Sequence, residues 1–555
     1  MTKHILKNVG LMVFGLVFVF NGVSVRAQTG PSTPEAKAAF EQGEAAQKKH
    51  DYTNAVSFYR KAIELDPNYA EAHEQFRIAF RQAAYAGVKS DLPEDERSRQ
   101  LELVFDKARE DLIAVYEGWA QKDPKNPLYQ GALGDLYQTT DYEKAEQHLL
   151  KAVSLNPKYA EAYQTLAMVY EVSGNEKKRM ESLRKAAEAA PQDASYAFYY
   201  AASLRRGSNS DFAVYPKKAI EVAERFPNDD RGAQSLYWLA FETNDPKEKL
   251  AVYERLRSSF PPEKFSWSEA GMGSLFEVYT KTNPQKALAL AEEMTRILKD
   301  EDDKKRWQDR VEFQKNVLQA KTLTGEKKYS DAIALLEKTK LPKYMHSDVL
   351  NLVKAETLDS AGQTDKAYQE ILGVISSEPT DDLQKALTGY GAELNKTRLQ
   401  VDADVRNSLN AKAKPVKDFS FARYGDGKQV SLSDYRGKVV LLNFWYPFCG
   451  PCRGENPNLQ KVLEKYKDKF VILAVNVHPD EGKYVLPYTN GNRFGFVPLK
   501  SNMEFAEKEF QARGMPSNFL IDPEGRIVYK PGVTQGQDEV RKLELQIESL
   551  LPQSN

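Results

Sequence analysis

A chain of 555 residues is too long for one hydrophobic core, and at roughly 100–200 residues per domain it predicts several folded units unless a repeat array absorbs the length. Its 78 basic and 79 acidic residues nearly cancel and are interspersed, which gives no support for a nucleic-acid partner, since that role demands a basic surface. The only two cysteines stand three residues apart, which excludes a disulfide framework stapling distant segments.

Residues 1–27 read as an export signal. Lys3 and Lys7 form a basic start, the run from Val9 to Val19 is apolar apart from two glycines, and small residues flank a cleavage point at Val25-Arg26-Ala27. The run is shorter than the ~20 residues of a membrane span. The expected product is therefore exported, periplasmic or extracytoplasmic, and soluble once cleaved; the alternative is an uncleaved membrane anchor. No Cys follows the run to carry a lipid.

From Pro34 to Asn395 the text is helical and repetitive. One spacing recurs: Ala, a bulky apolar residue four later, a small or apolar one three later, then Pro five later. It reads Ala55, Tyr59, Ala62, Pro67, then Ala145, Leu149, Ala152, Pro157, and again Ala367, Ile371, Val374, Pro379. The stretch from Tyr163 to Pro191 keeps Leu166, Tyr170, Gly174, Leu183 and Ala186. Offsets of three and four place each set on one helix face, with Pro where the helix must stop. Between Phe212 and Lys340 only Ala219, Ala287 and Ala332 mark degenerate copies.

Residues 396–414 read as a linker or a last helix, and β-rich text occupies 415–552. Strands are expected at Val416–Ala422 and Gln429–Leu432, then in the apolar runs Val439–Trp445, Phe470–Val477 and Ser517–Ile521, with an edge strand at Arg526–Tyr529. Helices are expected at Pro451–Lys467 and Gln537–Leu551. Strand alternating with helix implies an α/β layered domain.

Cys449-Gly450-Pro451-Cys452 follows the first buried strand and opens a helix. Unpaired amides and the dipole at a helix N-terminus stabilise a thiolate, so Cys449 is the expected nucleophile. Cys452, one turn on, is placed to form a disulfide with it and to resolve a mixed disulfide with a client. Gly450 permits close approach of a second polypeptide, and Pro451 is tolerated where no helical amide bond is lost.

The repeat spacing resembles the tetratricopeptide repeat (TPR), a pair of antiparallel helices with a period of about 34 residues. The resemblance implies an all-α solenoid whose concave surface binds a partner protein. The run Asn443–Arg453 resembles the thioredoxin superfamily. Val416–Phe419, Ser431–Lys438, Glu455 with Pro457, Gly514–Ser517 and Phe519–Asp522 are similar to its extracytoplasmic TlpA/ResA-like branch. That resemblance implies a cis peptide at Pro516 facing the disulfide, and backbone groups of Met515 that pair with a client strand. It matches Glu455 to an acid that tunes or shuttles the proton of Cys452; a solvated first-turn Glu suiting the helix dipole is the other reading. Two positions depart from the pattern. Asn443 stands where classical thioredoxins bury an Asp, so that proton path is expected to be absent, and Phe448 replaces the usual Trp.

The expected protein is thus multidomain, a TPR-like solenoid followed by an α/β thioredoxin-like fold. It reduces disulfides of protein or peptide clients without a cofactor, draws electrons from a membrane-linked donor, and recruits a partner on the array. A zinc site needs four ligands, and CxxC could recruit only His478, read here as a loop residue. A peroxiredoxin-like peroxidase needs a hydroxyl three residues before the reactive Cys, where Tyr446 stands. A third reading is an assembly scaffold with a vestigial redox domain.

Overall fold

The computed structural model of the chain describes residues 31–88, 92–205 and 209–551. The expected export signal and its cleavage point lie outside the described residues. Two compact units are present, one ending at Tyr215 and one running from Pro216.

In the first unit the recurring alanines mark where helices touch. Ala55, Tyr59 and Ala62 of the helix Tyr52–Leu65 are fully buried, as are Ala145, Leu149 and Ala152 of Tyr142–Leu155. Small partners admit the bulky members: a Cβ on Gly43 would lie 2.6 Å from the Tyr59 ring, and one on Gly134 would lie 2.3 Å from Leu149. Asp51 and Asp141 cap these helices with side-chain bonds to backbone N–H groups. Each helix ends two residues before its proline, Pro67 or Pro157. The helix Glu94–Lys122 breaks the regular unit length.

In the second unit the helical pairs continue to Asp381–Glu393. Ala219, Ala287 and Ala332 are each fully buried there, so the degenerate text still packs by the same rule. Residues 398–412 then form one more helix, started by a reciprocal capping box between Thr397 and Gln400. Val401 joins the core of the last repeats, Leu409 joins the core of the C-terminal domain, and Val405 borders both.

That domain holds eight strands: β1 (Lys414–Pro415), β2 (Ser420–Ala422), β3 (Gln429–Ser431), β4 (Val439–Trp445), β5 (Phe470–Asn476), β6 (Val497–Lys500), β7 (Ser517–Ile521) and β8 (Arg526–Tyr529). The main sheet runs β1-β8-β7-β4-β5-β6, while β2 and β3 form a separate hairpin. β4, β5 and β6 are parallel; β7 lies antiparallel to β4. Two expectations need correction. β8 is no edge, because the two-residue β1 pairs along its outer side. The strand expected from Val416 begins only at Ser420. Two helices, Gly482–Gly491 and Met503–Phe510, and β6 between them complete the layer beyond β5.

Alternation along β4 feeds two cores. Val440, Leu442 and Phe444 face one layer. Val439, Leu441 and Trp445 face the other, with Cys449, Cys452 and the helices Gly450–Tyr466 and Gln537–Leu550. Asn443 shares the parity of this second set. A polar side chain is thereby sent under the helix that begins at the cysteines.

Candidate active site

β4 ends at Trp445, and the chain turns through Tyr446–Phe448 into the helix Gly450–Tyr466, whose N-cap is Cys449. Cys449 and Cys452 are joined as a disulfide, with Cα atoms 5.2 Å apart. The Cys452 N–H points at Cys449 Sγ from 3.2 Å, which supplies the amide that would stabilise a thiolate there. Both cysteines are buried, with Cys449 at 2% exposure and Cys452 at 0%, so the difference in depth is small. Gly450 and Pro451 are exposed beside them.

The Met515–Pro516 peptide is cis. The Met515 carbonyl oxygen lies 3.6 Å from Cys449 Sγ. This puts the backbone just before Pro516 directly against Cys449 Sγ.

Behind the disulfide lies a closed polar cluster. Glu455 is wholly buried, which removes the solvated reading of this residue. Asn443 Nδ2 donates to Glu455 Oε1 at 2.9 Å, while Asn518 Nδ2 and the Thr534 N–H donate to Oε2 at 3.1 and 2.9 Å. Asn443 and Asn518 are register partners on β4 and β7, and a 2.8 Å bond links their side chains. Burial pushes the Glu455 carboxyl up to about 7, against the three donors, which pull it down. Asn443 replaces an Asp on the strand, but its amide binds a carboxylate that arrives from the helix.

A second acid stands beside the turn. Glu481 Oε2 accepts the Phe448 N–H at 3.0 Å, holding the turn just before Cys449. Burial pushes this carboxyl up to about 7 as well; the Phe448 bond and Arg453 pull it down, and Asp480 pushes it up. In the sequence it sits in Pro479-Asp480-Glu481-Gly482, which reads as solvated loop, so no local signal reveals it. Asn518 did leave a signal, being a polar residue inside an apolar strand. Phe448 packs edge-on against Tyr484 at 5.0 Å, and His478 lies in the loop after β5, its ring 4.2 Å from that of Tyr446.

Comparison with known proteins finds matches toward both ends of the chain. Residues 413–530 match the AhpC/TSA family model, and residues 36–69, 130–159 and 160–193 match tetratricopeptide repeat models. The chain is 31% identical over 144 residues to a thioredoxin-like protein, YneN, of Bacillus subtilis, covering 25% of this chain and 81% of that protein. It is 28% identical over 128 residues to the thiol-disulfide oxidoreductase ResA of Bacillus thuringiensis subsp. konkukian, covering 23% of this chain and 72% of that one. A crystal structure of the thioredoxin domain of a thiol-disulfide oxidoreductase from Bacteroides vulgatus aligns with 24% of this chain and 96% of its own, at 26% identity and a TM-score of 0.21.

Proposed function

The chain belongs to the thioredoxin-like thiol–disulfide oxidoreductases through its C-terminal domain, and from that membership we propose that it reduces the disulfides of client proteins outside the cytoplasm. The observation that carries this reading is the Cys449–Cys452 pair at a helix N-terminus, with the Met515 carbonyl over one sulfur and Glu455 buried one turn beyond the other.

In the reduced protein the Cys449 thiolate attacks one sulfur of a client disulfide. A Cys449–client bond forms, the client S–S bond breaks, and the departing client thiolate takes a proton from solvent. Cys452 then gives its proton to Glu455 and attacks Cys449 Sγ. The internal disulfide forms and the second client thiolate leaves, so two electrons pass from the protein dithiol to the client. Glu455, at about 7, is poised to accept a proton near neutral pH. Restoring the dithiol requires two electrons and two protons from a dithiol donor, which for an exported protein is membrane-linked.

Gly450 and Pro451 leave room for the client backbone, and Met515 offers it a pairing edge. The tetratricopeptide repeats supply a surface for a partner protein, and tethering a client there raises its effective concentration at Cys449.

The test is insulin reduction by the full chain with dithiothreitol as electron source. Turnover that disappears in Cys449→Ala is expected. Inactivity of the intact protein would favour the scaffold reading, and turnover of hydrogen peroxide instead would favour the peroxidase.

A further inference from the structure

The segment that brings the Thr534 amide to Glu455 is held at both ends. On the redox side, Thr534 N–H donates to Glu455, its carbonyl accepts from Asn458 Nδ2 at 3.1 Å, and Gln535 Nε2 donates to the Pro451 carbonyl at 3.1 Å. All three partners lie on the helix that starts at Cys449.

The following residues are held by the repeat helices. Gly536 packs against the Phe241 ring so closely that a Cβ there would come within 2.2 Å of a ring carbon, and its φ of +78° independently requires glycine. Gln537 Nε2 donates to Glu242 at 3.2 Å, and Lys249 Nζ reaches both carboxylate oxygens of Asp538 at 2.8 Å. The Lys249 side chain is largely buried at 11% exposure, while that of Asp538 is 82% exposed. Phe241 and Glu242 end the helix Asp230–Glu242, and Lys249 lies on Pro246–Ser259. Five residues thus bridge the redox acid and these two repeat helices, which belong to the same compact unit as the redox domain.

We propose that Phe241 and Lys249 of the repeat array are positioning residues for the redox reaction, fixing the Thr534 amide on Glu455 so that the acid is ready to take the Cys452 proton. This rests on Glu455 being that proton acceptor. The groups bonded to its carboxyl are the amides of Asn443 from β4 and Asn518 from β7 and the Thr534 N–H; Cys452 precedes it by one turn on the same helix. Of these donors only Thr534 sits on a segment anchored outside the domain. An amide donor favours the ionised carboxylate, so loosening the segment must move the acid toward its protonated form.

The experiment uses the reduced full-length protein and an aromatic disulfide that releases a coloured thiolate. The first burst reports attack by Cys449 and the second reports resolution by Cys452. Wild type is expected to show an acid limb in the pH profile of the second phase, and Glu455→Gln to lack it. Phe241→Ala, Lys249→Ala and Gly536→Ala should keep the limb but move it up by about one pH unit, the worth of one hydrogen bond to a charged group. Their first phase should stay within about twofold of wild type. Asp538→Asn, which alters only an exposed carboxylate, guards against misfolding and should shift the limb in the same direction. The charge exchange Lys249→Asp with Asp538→Lys should move it back. Limbs that coincide with wild type in all these variants, while Glu455→Gln abolishes the limb, would overturn the positioning role alone. A profile unchanged in Glu455→Gln would overturn the proton-acceptor reading and this inference with it.

Discussion

Asn443 donates a hydrogen bond of 2.9 Å to Glu455, and neither side chain is open to solvent. A strand that carries no acid at this position obtains one from the helix packed over it. The helix that opens at Cys449 therefore also carries the buried carboxyl, and the sheet contributes only neutral amides.

Stability should depend on pH through this acid. Burial raises Glu455 from 4.5 to about 7, and does the same for Glu481. Between those values the folded chain binds more protons than the unfolded chain, so stability falls as pH rises. The contribution is fully present below about 4.5 and gone above about 7, a span of about 3 kcal/mol for Glu455 alone. Thermal midpoints of the oxidised protein across this range should flatten in Glu455→Gln. An unchanged slope would mean the carboxyl is ionised throughout.

Glu481 should act on the nucleophile. Glu481→Gln keeps an acceptor for the Phe448 N–H but removes a negative charge beside Cys449. Iodoacetamide should then alkylate Cys449 several-fold faster above about pH 7, because a like charge no longer opposes the thiolate. Glu481→Ala, which also frees the turn, should lose part of that gain. Equal rates in wild type and Glu481→Gln would show that the carboxylate only holds the turn.

Cys452→Ala should trap clients as mixed disulfides, since Cys449 can still attack but nothing releases the product. Cys449→Ala should trap far less. Non-reducing gels of the native host provide the reading; equal trapping by both variants would remove the assigned division of roles, and greater trapping by Cys449→Ala would reverse it.

The dithiol should be reducing. Gly450-Pro451 is the dipeptide of reducing thioredoxins, at about −270 mV, and strong oxidants lie near −120 mV. Equilibration with glutathione redox buffers, read by thiol alkylation, gives the potential. A value near the upper figure would make the protein an oxidant.

The mature chain should begin near Gln28. Mass spectrometry of the native protein decides this, and an intact Met1 on a membrane-bound form would remove the cleavage.

Periodicity carried most of the fold. The Ala–bulky–Ala spacing located helices whose contacts are fully buried at Ala55, Tyr59, Ala62 and at Ala145, Leu149, Ala152, because a helix face has a fixed geometry wherever it packs; in the copy at Ala367 the last buried contact is Ile375 and Val374 is only partly buried. The apolar runs located β4, β5 and β7 for the same reason. Short elements escaped: β6 and β1 are too brief to carry a pattern, and both are fixed by strands already in place. The site divides along the same line. Cys449, Cys452, Met515 and Pro516 stand in motifs that read locally. Glu481, Asn518 and Thr534 reach the site from three separate segments, and only tertiary folding brings their donors and acceptors together. Glu455 carries two readings in the sequence, and burial, which no single sequence states, separates them.

The helix Arg398–Lys412 has its first turn in the repeat core at Val401 and its last in the redox core at Leu409, and Asn410 accepts a 2.7 Å hydrogen bond from Arg526 on β8. It is therefore an axle without slack. Fifteen residues make a rod of about 22 Å, and close-packed cores at both ends transmit strain instead of absorbing it. A fragment cut at Pro415, where the β-rich text begins, would lose Leu409 and bare an apolar seam along the sheet. The helix from Arg398 thus belongs to the redox domain's packing as much as its strands do.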